Sequence, residues 1–427
     1  ERCMLLNTSF LGERQVLFVI RGLTLLARFV FIIFIAKQLS VIQVGFYGFI
    51  AASIFATVYI AGYEHGNYSA RQIIKCNTLS CREKSVSSLT IFGLMMFAII
   101  SPLVYYATAS NEIYKYISIL YFFIIAYGES YMAEHKKILI SLGHPFYAGI
   151  VDFVKTGVWV YLLIPLVLFG WMDIDLNTIL LMWSVFVAIG TFLIFFKLRG
   201  FYKIKNLIAR PTLNKYKNQI YSSTPFFLSG LSLLAIEISG RVSLQMAGLQ
   251  IEAGVYTFYA GFIFAIPLFV WSASVAFDHA KILTAFENHD IKESNKLILI
   301  MIKRSLKICL LLVIFLFFGF EVLLEMVGKD EYADHMNSFF LFLLVPFIHI
   351  LDSHIYYALY VRGMDKEIAT SSVIGFACLA VFQIFTLFEF GIVSVILSII
   401  IALSISVFIK LLFIFKNRST ECETSII

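Results

Sequence analysis

Four basic side chains stand inside long apolar runs of this 427-residue chain: Arg21, Arg28, Lys155 and Arg241. A charge at the centre of a bilayer costs about 2.5–3.5 kcal/mol on insertion scales, so such a residue faces a cavity, a partner or a ligand. Arg21 and Arg28 are seven apart, two helical turns, and share one helix face. A guanidinium is planar, always charged, and offers paired donors that match a phosphate or carboxylate bidentately. Two of them, one above the other, suit a diphosphate or an acidic sugar. The plainer reading is that Arg21 extends its tip to water while Arg28 sits in a salt bridge. Lys155 follows Asp152 by three residues, so the two either pair with each other or leave Lys155 facing a cavity with Asp152 behind it. Glu237 and Arg241 are four apart in the Glu-first order that favours a helical pair. That pair reads two ways: as a coupling site, in which Glu237 takes H+ or Na+ while Arg241 engages substrate, or as a structural ion pair. Asp352, in the middle of a run, and Asp152 are two further candidate coupling carboxylates. His349 and His354, five apart, fall on different faces and do not form a metal pair. Glu64, His65, Glu129, Asp278 and His279 lie nearer run ends and read as helix-end charges in headgroups or water.

The elements that must hold these side chains are twelve apolar runs: 16–37, 42–62, 86–107, 113–133, 146–170, 178–197, 222–247, 255–280, 304–325, 338–361, 368–388 and 392–415. Each is about the 20 residues that cross a ~30 Å hydrocarbon core as a helix. The gaps alternate in charge. Counting those just inside the run ends, 26 of the 33 Lys and Arg belong to the N-terminus, the even-numbered gaps and the C-terminal tail. The odd-numbered gaps, counted the same way, hold only Lys37, Lys115 and Lys329. This asymmetry obeys the positive-inside rule and predicts twelve crossings with both termini in the cytoplasm. Asp173, Asp175, Glu325, Asp330, Glu331 and Asp334 gather in the gaps assigned to the outside.

Composition agrees. The chain is 60% apolar and 14% charged, which excludes a soluble globular protein. Its net charge of +6 belongs to the cytoplasmic face, where it suits anionic lipid headgroups, and no nucleic-acid-binding motif accompanies it. The first run is too long, and with Arg21 and Arg28 too charged, for a cleavable signal peptide. Cys3, Cys76, Cys81, Cys309, Cys378 and Cys422 show no metal spacing. Cys76 and Cys81 share a gap placed inside, so all six read as reduced structural fillers. There is no Walker loop, GxSxG or HExxH, so neither a cofactor nor catalysis is expected.

The longest inside gap, residues 198–221, is rich in Lys and Arg and is broken by Pro211, with a short surface helix expected on each side. It divides the chain into a six-run bundle over 1–197, a basic linker over 198–221 and a second six-run bundle over 222–427. An even number of runs per half orients both halves alike, as a parallel repeat. The turn after run one reads Leu39-Ser40-Val41-Ile42-Gln43-Val44-Gly45-Phe46-Tyr47, and that after run seven Leu249-Gln250-Ile251-Glu252-Ala253-Gly254-Val255-Tyr256. Both share Leu, a spacer and Gly-x-Tyr ahead of a long helix. Gly45 and Gly254 are expected at tight outside turns that let antiparallel helices approach closely.

This arrangement resembles the MOP superfamily of multidrug, oligosaccharidyl-lipid and polysaccharide exporters, and within it the Wzx-type O-antigen flippases. The residues that carry the resemblance are the early Gly-x-Tyr turn, the basic middle loop, and Gly62-Tyr63-Glu64-His65-Gly66-Asn67-Tyr68-Ser69-Ala70-Arg71 at the end of run two. The resemblance implies two six-helix bundles around a central cavity, working by alternating access in a bacterial inner membrane. It implies an undecaprenyl-diphosphate-linked oligosaccharide as substrate. It implies a polymerase and a chain-length regulator of a surface-polysaccharide pathway as partners. The alternatives are a multidrug or small-solute antiporter of the same superfamily and a membrane-embedded polymerase or glycosyltransferase. The last is disfavoured because the longest outside gap, 326–337, is only about a dozen residues and acidic.

Overall fold

A computed structural model describes residues 9–76, 78–108, 118–203, 213–271, 282, 284–286, 288 and 290–424. The described chain is almost entirely helical. The helices are α1 (Ser9–Gln38), α2 (Val41–Gly62), α3 (His65–Lys75), α4 (Leu79–Thr108), α5 (Ile119–Ser141), α6 (Pro145–Phe153), α7 (Trp159–Leu168), α8 (Leu176–Leu198), α9 (Leu213–Met246), α10 (Gln250–Ile263), α11 (Ala265–Val270), α12 (Ile291–Val327), α13 (Asp330–Ala333), α14 (Met336–Phe342), α15 (Val345–Val361) and α16 (Asp365–Thr424). Among the described residues, ten helical segments are long and apolar enough to cross a membrane. They make the chain a multi-pass membrane protein.

Several boundaries differ from the apolar runs, each for a physical reason. α5 is 23 residues long but carries Glu129, Glu134, His135, Lys136 and Lys137, and it is not among the ten. α16 is counted as one segment, yet Gly391 interrupts it with φ 50° and ψ −124°. That conformation is open to glycine and strained for any other residue. The Glu252 carboxylate, at the start of α10, accepts from the Ile392 N–H there and caps the second half of α16. The run 146–170 is continuous but not uniform: Val154–Val158 is a π-helical turn between α6 and α7. Such single turns arise where an extra residue is accommodated, and they recur at functional sites. α12 begins well before its run because an amphipathic segment extends its N-terminal end.

The chain folds as two compact units. The first holds the described part of Glu1–Leu39 and Ile50–Thr224; the second holds Ser40–Phe49 and Pro225–Ile427. In the first, α1 packs on α6, the π-turn and α7, and α5 packs on α3, α4 and α8. Gly128 and Gly190 let α5 and α8 close up: a Cβ at Gly128 would lie 2.3 Å from Val187 Cγ1. In the second, α15 packs on α12 and α16, and an aromatic core of Phe258, Tyr259, Phe320, Tyr332 and Phe339 is fully buried.

Gly45 and Gly254 are not turn residues. Each lies inside a helix, and they pack against one another where α2 meets α10. A Cβ on Gly45 would be 2.9 Å from the Gly254 nitrogen, and one on Gly254 2.0 Å from the Val41 carbonyl oxygen. The segment after run two forms the amphipathic helix α3. Cys76 and Cys81 are joined as a disulfide across the α3–α4 turn, which corrects their reading as reduced fillers. Residues 204–212, with Pro211 and the first expected surface helix, lie outside the described residues. The second expected surface helix is the N-terminal end of α9, which runs on for 34 residues.

Candidate functional site

In the first unit, polar chemistry converges on α5. Lys155, carried by the π-turn, pairs with Glu129 of α5, and the Trp183 indole of α8 donates to the other oxygen of Glu129 at 3.2 Å. Asp152 pairs with Lys136 of α5 at 2.9 and 3.0 Å. The expected Asp152–Lys155 pair therefore does not form: both side chains turn to α5, which offers Lys136 and Glu129 as tertiary partners. Glu129 is no helix-end charge either; it is buried near the middle of a 23-residue helix.

Further along α5, Glu134 accepts from the Gly66 N–H at the start of α3, and Lys137 bridges Glu134 at 3.1 Å and Glu64 at 3.3 Å. The sequence around Gly62 folds this way because a Cβ would block the carboxylate. At Gly62 it would lie 2.9 Å, and at Gly66 2.4 Å, from Glu134 oxygens. Between them Tyr63 and Glu64 take left-handed φ values of 47° and 55°, making the sharp corner that aims the first turn of α3 at Glu134. Tyr202, just past α8, is hydrogen-bonded to Tyr131 of α5 at 2.6 Å, and burial raises its phenol above the ordinary value.

In the second unit the hub is α15. His349 Nε2 is 2.9 Å from Glu237 Oε1 on α9. Asp352 holds Lys410 of α16, with Nζ 2.7 Å from both carboxylate oxygens. His354 Nε2 is 2.9 Å from the Ser305 hydroxyl on α12. Three polar side chains on two turns of one helix thus serve three different neighbouring helices, because at 100° per residue they point in three directions. Lys410 is fully buried. In the sequence it lies near the end of the last run, where its charge reads as part of the basic tail. The buried Asp352–Lys410 pair replaces the free mid-span carboxylate expected at Asp352.

Glu237 and Arg241 do not form an ion pair with each other; Glu237 is held by His349. Arg241 is half-buried near the end of α9, and its Nε is buried with no hydrogen-bond partner among the described residues. Gln245, one turn on, is buried with its Oε1 likewise unpartnered. The fully buried Tyr256 ring closes the adjacent side against Gly240, where a Cβ would lie 2.4 Å from the ring. Arg21 and Arg28 are both exposed on α1, and neither makes an ion pair with a described residue, so the salt bridge expected for Arg28 is not found among them. Asp278 and His279 lie outside the described residues.

No family model matches the chain, and no curated protein sequence matches it. Solved structures do. An inward-facing multidrug resistance MATE family transporter of the MOP superfamily superposes with a TM-score of 0.75 at 14% identity, covering 94% of this chain and 96% of that one. The lipid II flippase MurJ, in an inward closed conformation, gives 0.64 at 14% identity over 93% of this chain and 87% of that one. The MATE multidrug transporter DinF-BH gives 0.62 at 15% identity over 94% of each. The chain therefore has the fold of MOP-superfamily transporters.

Proposed function

We propose that this protein is a transporter, not an enzyme, that moves an undecaprenyl-diphosphate-linked oligosaccharide across a bacterial inner membrane. The observation that carries this is the state of the charges within the helices. Four carboxylates there are each held by a basic partner: Glu129 by Lys155, Asp152 by Lys136, Glu237 by His349 and Asp352 by Lys410. Of the four cations singled out inside the apolar runs, Lys155 is thereby engaged. The others make no ion pair with a described residue, and all are arginines: Arg21, Arg28 and Arg241. The spare binding capacity is thus for anions, and guanidinium is the group that takes a diphosphate best. The architecture proposed with it is twelve crossings: the ten segments, α5, and the second half of α16 beyond Gly391. Two six-helix bundles over 1–197 and 222–427 flank the linker 198–221, with both termini cytoplasmic, as the distribution of Lys and Arg requires. MATE family transporters of similar fold are known in inward-facing and in outward-facing conformations, which supports alternating access. Glu237 is the coupling carboxylate in this reading, with His349 as the partner that holds it. Asp352 and Asp152 are structural, each locked by a lysine.

A multidrug antiporter is the second reading, and the MATE likeness favours it. The two part in proteoliposomes. Purified protein is offered a fluorescent undecaprenyl-diphosphate oligosaccharide in one leaflet and, separately, a cationic dye. Transfer of the lipid-linked sugar without dye movement is expected. Dye movement with no lipid transfer would establish the multidrug reading instead.

A further inference from the structure

α12 is 37 residues long, about 55 Å, and its inner half carries Lys292, Lys296, Lys303 and Lys307. At 100° per residue these four fall within an arc of roughly 60°. All four are exposed. Leu299 and Ile300, 51% and 48% exposed, lie among them. The opposite face is the packed one, with Met301, Ser305, Cys309 and Phe320 fully buried. One carboxylate of this segment, Glu293, takes up Lys296 at 3.1 Å; the other three lysines keep their charge unopposed by any acid in the segment. Further along α12 the same arc turns wholly apolar, with Leu310, Ile314 and Phe317 exposed. A lysine stripe that runs on without a break from a lipid-facing apolar stripe is the pattern by which a helix meets a charged membrane surface: apolar side chains enter the acyl region, and ammonium groups rise to the headgroups.

We infer that the inner half of α12 is a docking surface for anionic phospholipid of the adjacent leaflet. Charge complementarity selects the lipid, and continuity with the apolar face of α12 selects a bilayer over a soluble acidic protein. The contacts are graded. The headgroup layer is only about 5–8 Å deep per leaflet, so Lys303 and Lys307, next to the apolar stripe, engage phosphate directly. Lys292 and Lys296 lie some 10–20 Å further along and act through the surface potential, which fades within a Debye length of about 8 Å. The inference is independent of what the protein transports.

The test uses the full chain in nanodiscs containing a trace of photoactivatable phosphatidylglycerol or, separately, phosphatidylcholine. Lipid adducts on the peptide spanning 292–311 are counted by mass spectrometry. A lysine at an anionic surface is worth about 1 kcal/mol, roughly fivefold. Lys303→Gln with Lys307→Gln should therefore reduce the phosphatidylglycerol preference on the order of tenfold, and Lys292→Gln with Lys296→Gln by less. Replacing all four by Arg should keep the preference, which separates charge from folding. Molar NaCl should abolish it, and inorganic phosphate matched to the lipid phosphate should leave it unchanged. Equal labelling by the two lipids would show apolar annular contact only and overturn the inference. So would full retention of the preference in the four-Gln variant, or competition by free phosphate.

Discussion

Lys410→Met separates a structural ion pair from a coupling site in one experiment. Lys410 is fully buried, Asp352 is 5% exposed, and Nζ sits 2.7 Å from both carboxylate oxygens with the Tyr356 ring 5.8 Å beneath. Removing the cation strands a buried carboxylate, and breaking such a pair costs about 3–5 kcal/mol. At 1.4 kcal/mol per decade that is a loss of roughly 10² to 10⁴ in the folding constant. Removing both charges, as Lys410→Met with Asp352→Leu, leaves no stranded charge and is expected to be neutral or stabilising by up to about 4 kcal/mol. The assay is a double-mutant cycle on purified protein, read by denaturant titration in detergent, with transport of lipid-linked oligosaccharide measured on the same four proteins. The expected result is a large coupling energy, a destabilised single variant, and a double variant with both stability and transport near wild type. A single-variant cost below about 1 kcal/mol would mean that the pair is not made. Restored stability with lost transport would make Asp352 a coupling residue and refute its structural assignment.

Three further outcomes follow from the same geometry. Gly391→Ala should cost at least about 1–3 kcal/mol, because φ 50° with ψ −124° is strained for any Cβ and the new methyl would lie 2.0 Å from Glu252 Oε2. Glu252→Ala in the same chain should recover only part of this, as thermal unfolding would show. Gly254→Ala should damage membrane abundance more than Gly45→Ala, since its Cβ meets the Val41 carbonyl at 2.0 Å whereas that of Gly45 meets backbone at 2.9 Å; comparable blots for the two would contradict the packing of α2 on α10. Exchanging Glu237 and Arg241 should fail to restore either abundance or transport, because the partner of Glu237 is His349; a swap with wild-type behaviour would reinstate the pair on α9.

The helical class, the membrane setting and most span positions were legible because they depend on local hydrophobicity over some 20 residues, which the chain states directly. Partners were not. Asp152 with Lys155 and Glu237 with Arg241 are correctly spaced for pairs on one helix, a contact worth only about 0.2–0.5 kcal/mol. Lys136, Glu129 and His349 approach from other helices and satisfy those charges better, and no periodicity reveals a neighbour 26 or 112 residues away. The π-turn that carries Lys155 leaves no mark in an apolar run, although Gly157 stands within it, where a Cβ would touch Phe153. The two Gly-x-Tyr motifs were visible, but not that their glycines meet each other rather than shaping separate turns. Lys410 stands next to a basic tail, and nothing local in the sequence sets it apart. Burial is decided by packing, and distance from a run end is a poor guide to it.

The central claim is that unpaired arginines within the helices read an anionic carrier lipid. It is tested most directly at Arg28, which stands exposed on α1 and makes no salt bridge with a described residue, so that its removal is expected to spare the fold. The measurement is the rate of undecaprenyl-diphosphate oligosaccharide transfer in proteoliposomes for wild type, Arg28→Ala and Arg28→Lys at matched protein density. A charge-assisted hydrogen bond is worth about 1.5–3 kcal/mol, so Arg28→Ala should slow transfer roughly 10- to 150-fold with unchanged thermal stability. Arg28→Lys should recover part of the rate, because a point charge replaces a bidentate fork. Transfer at the wild-type rate by Arg28→Ala would contradict the claim.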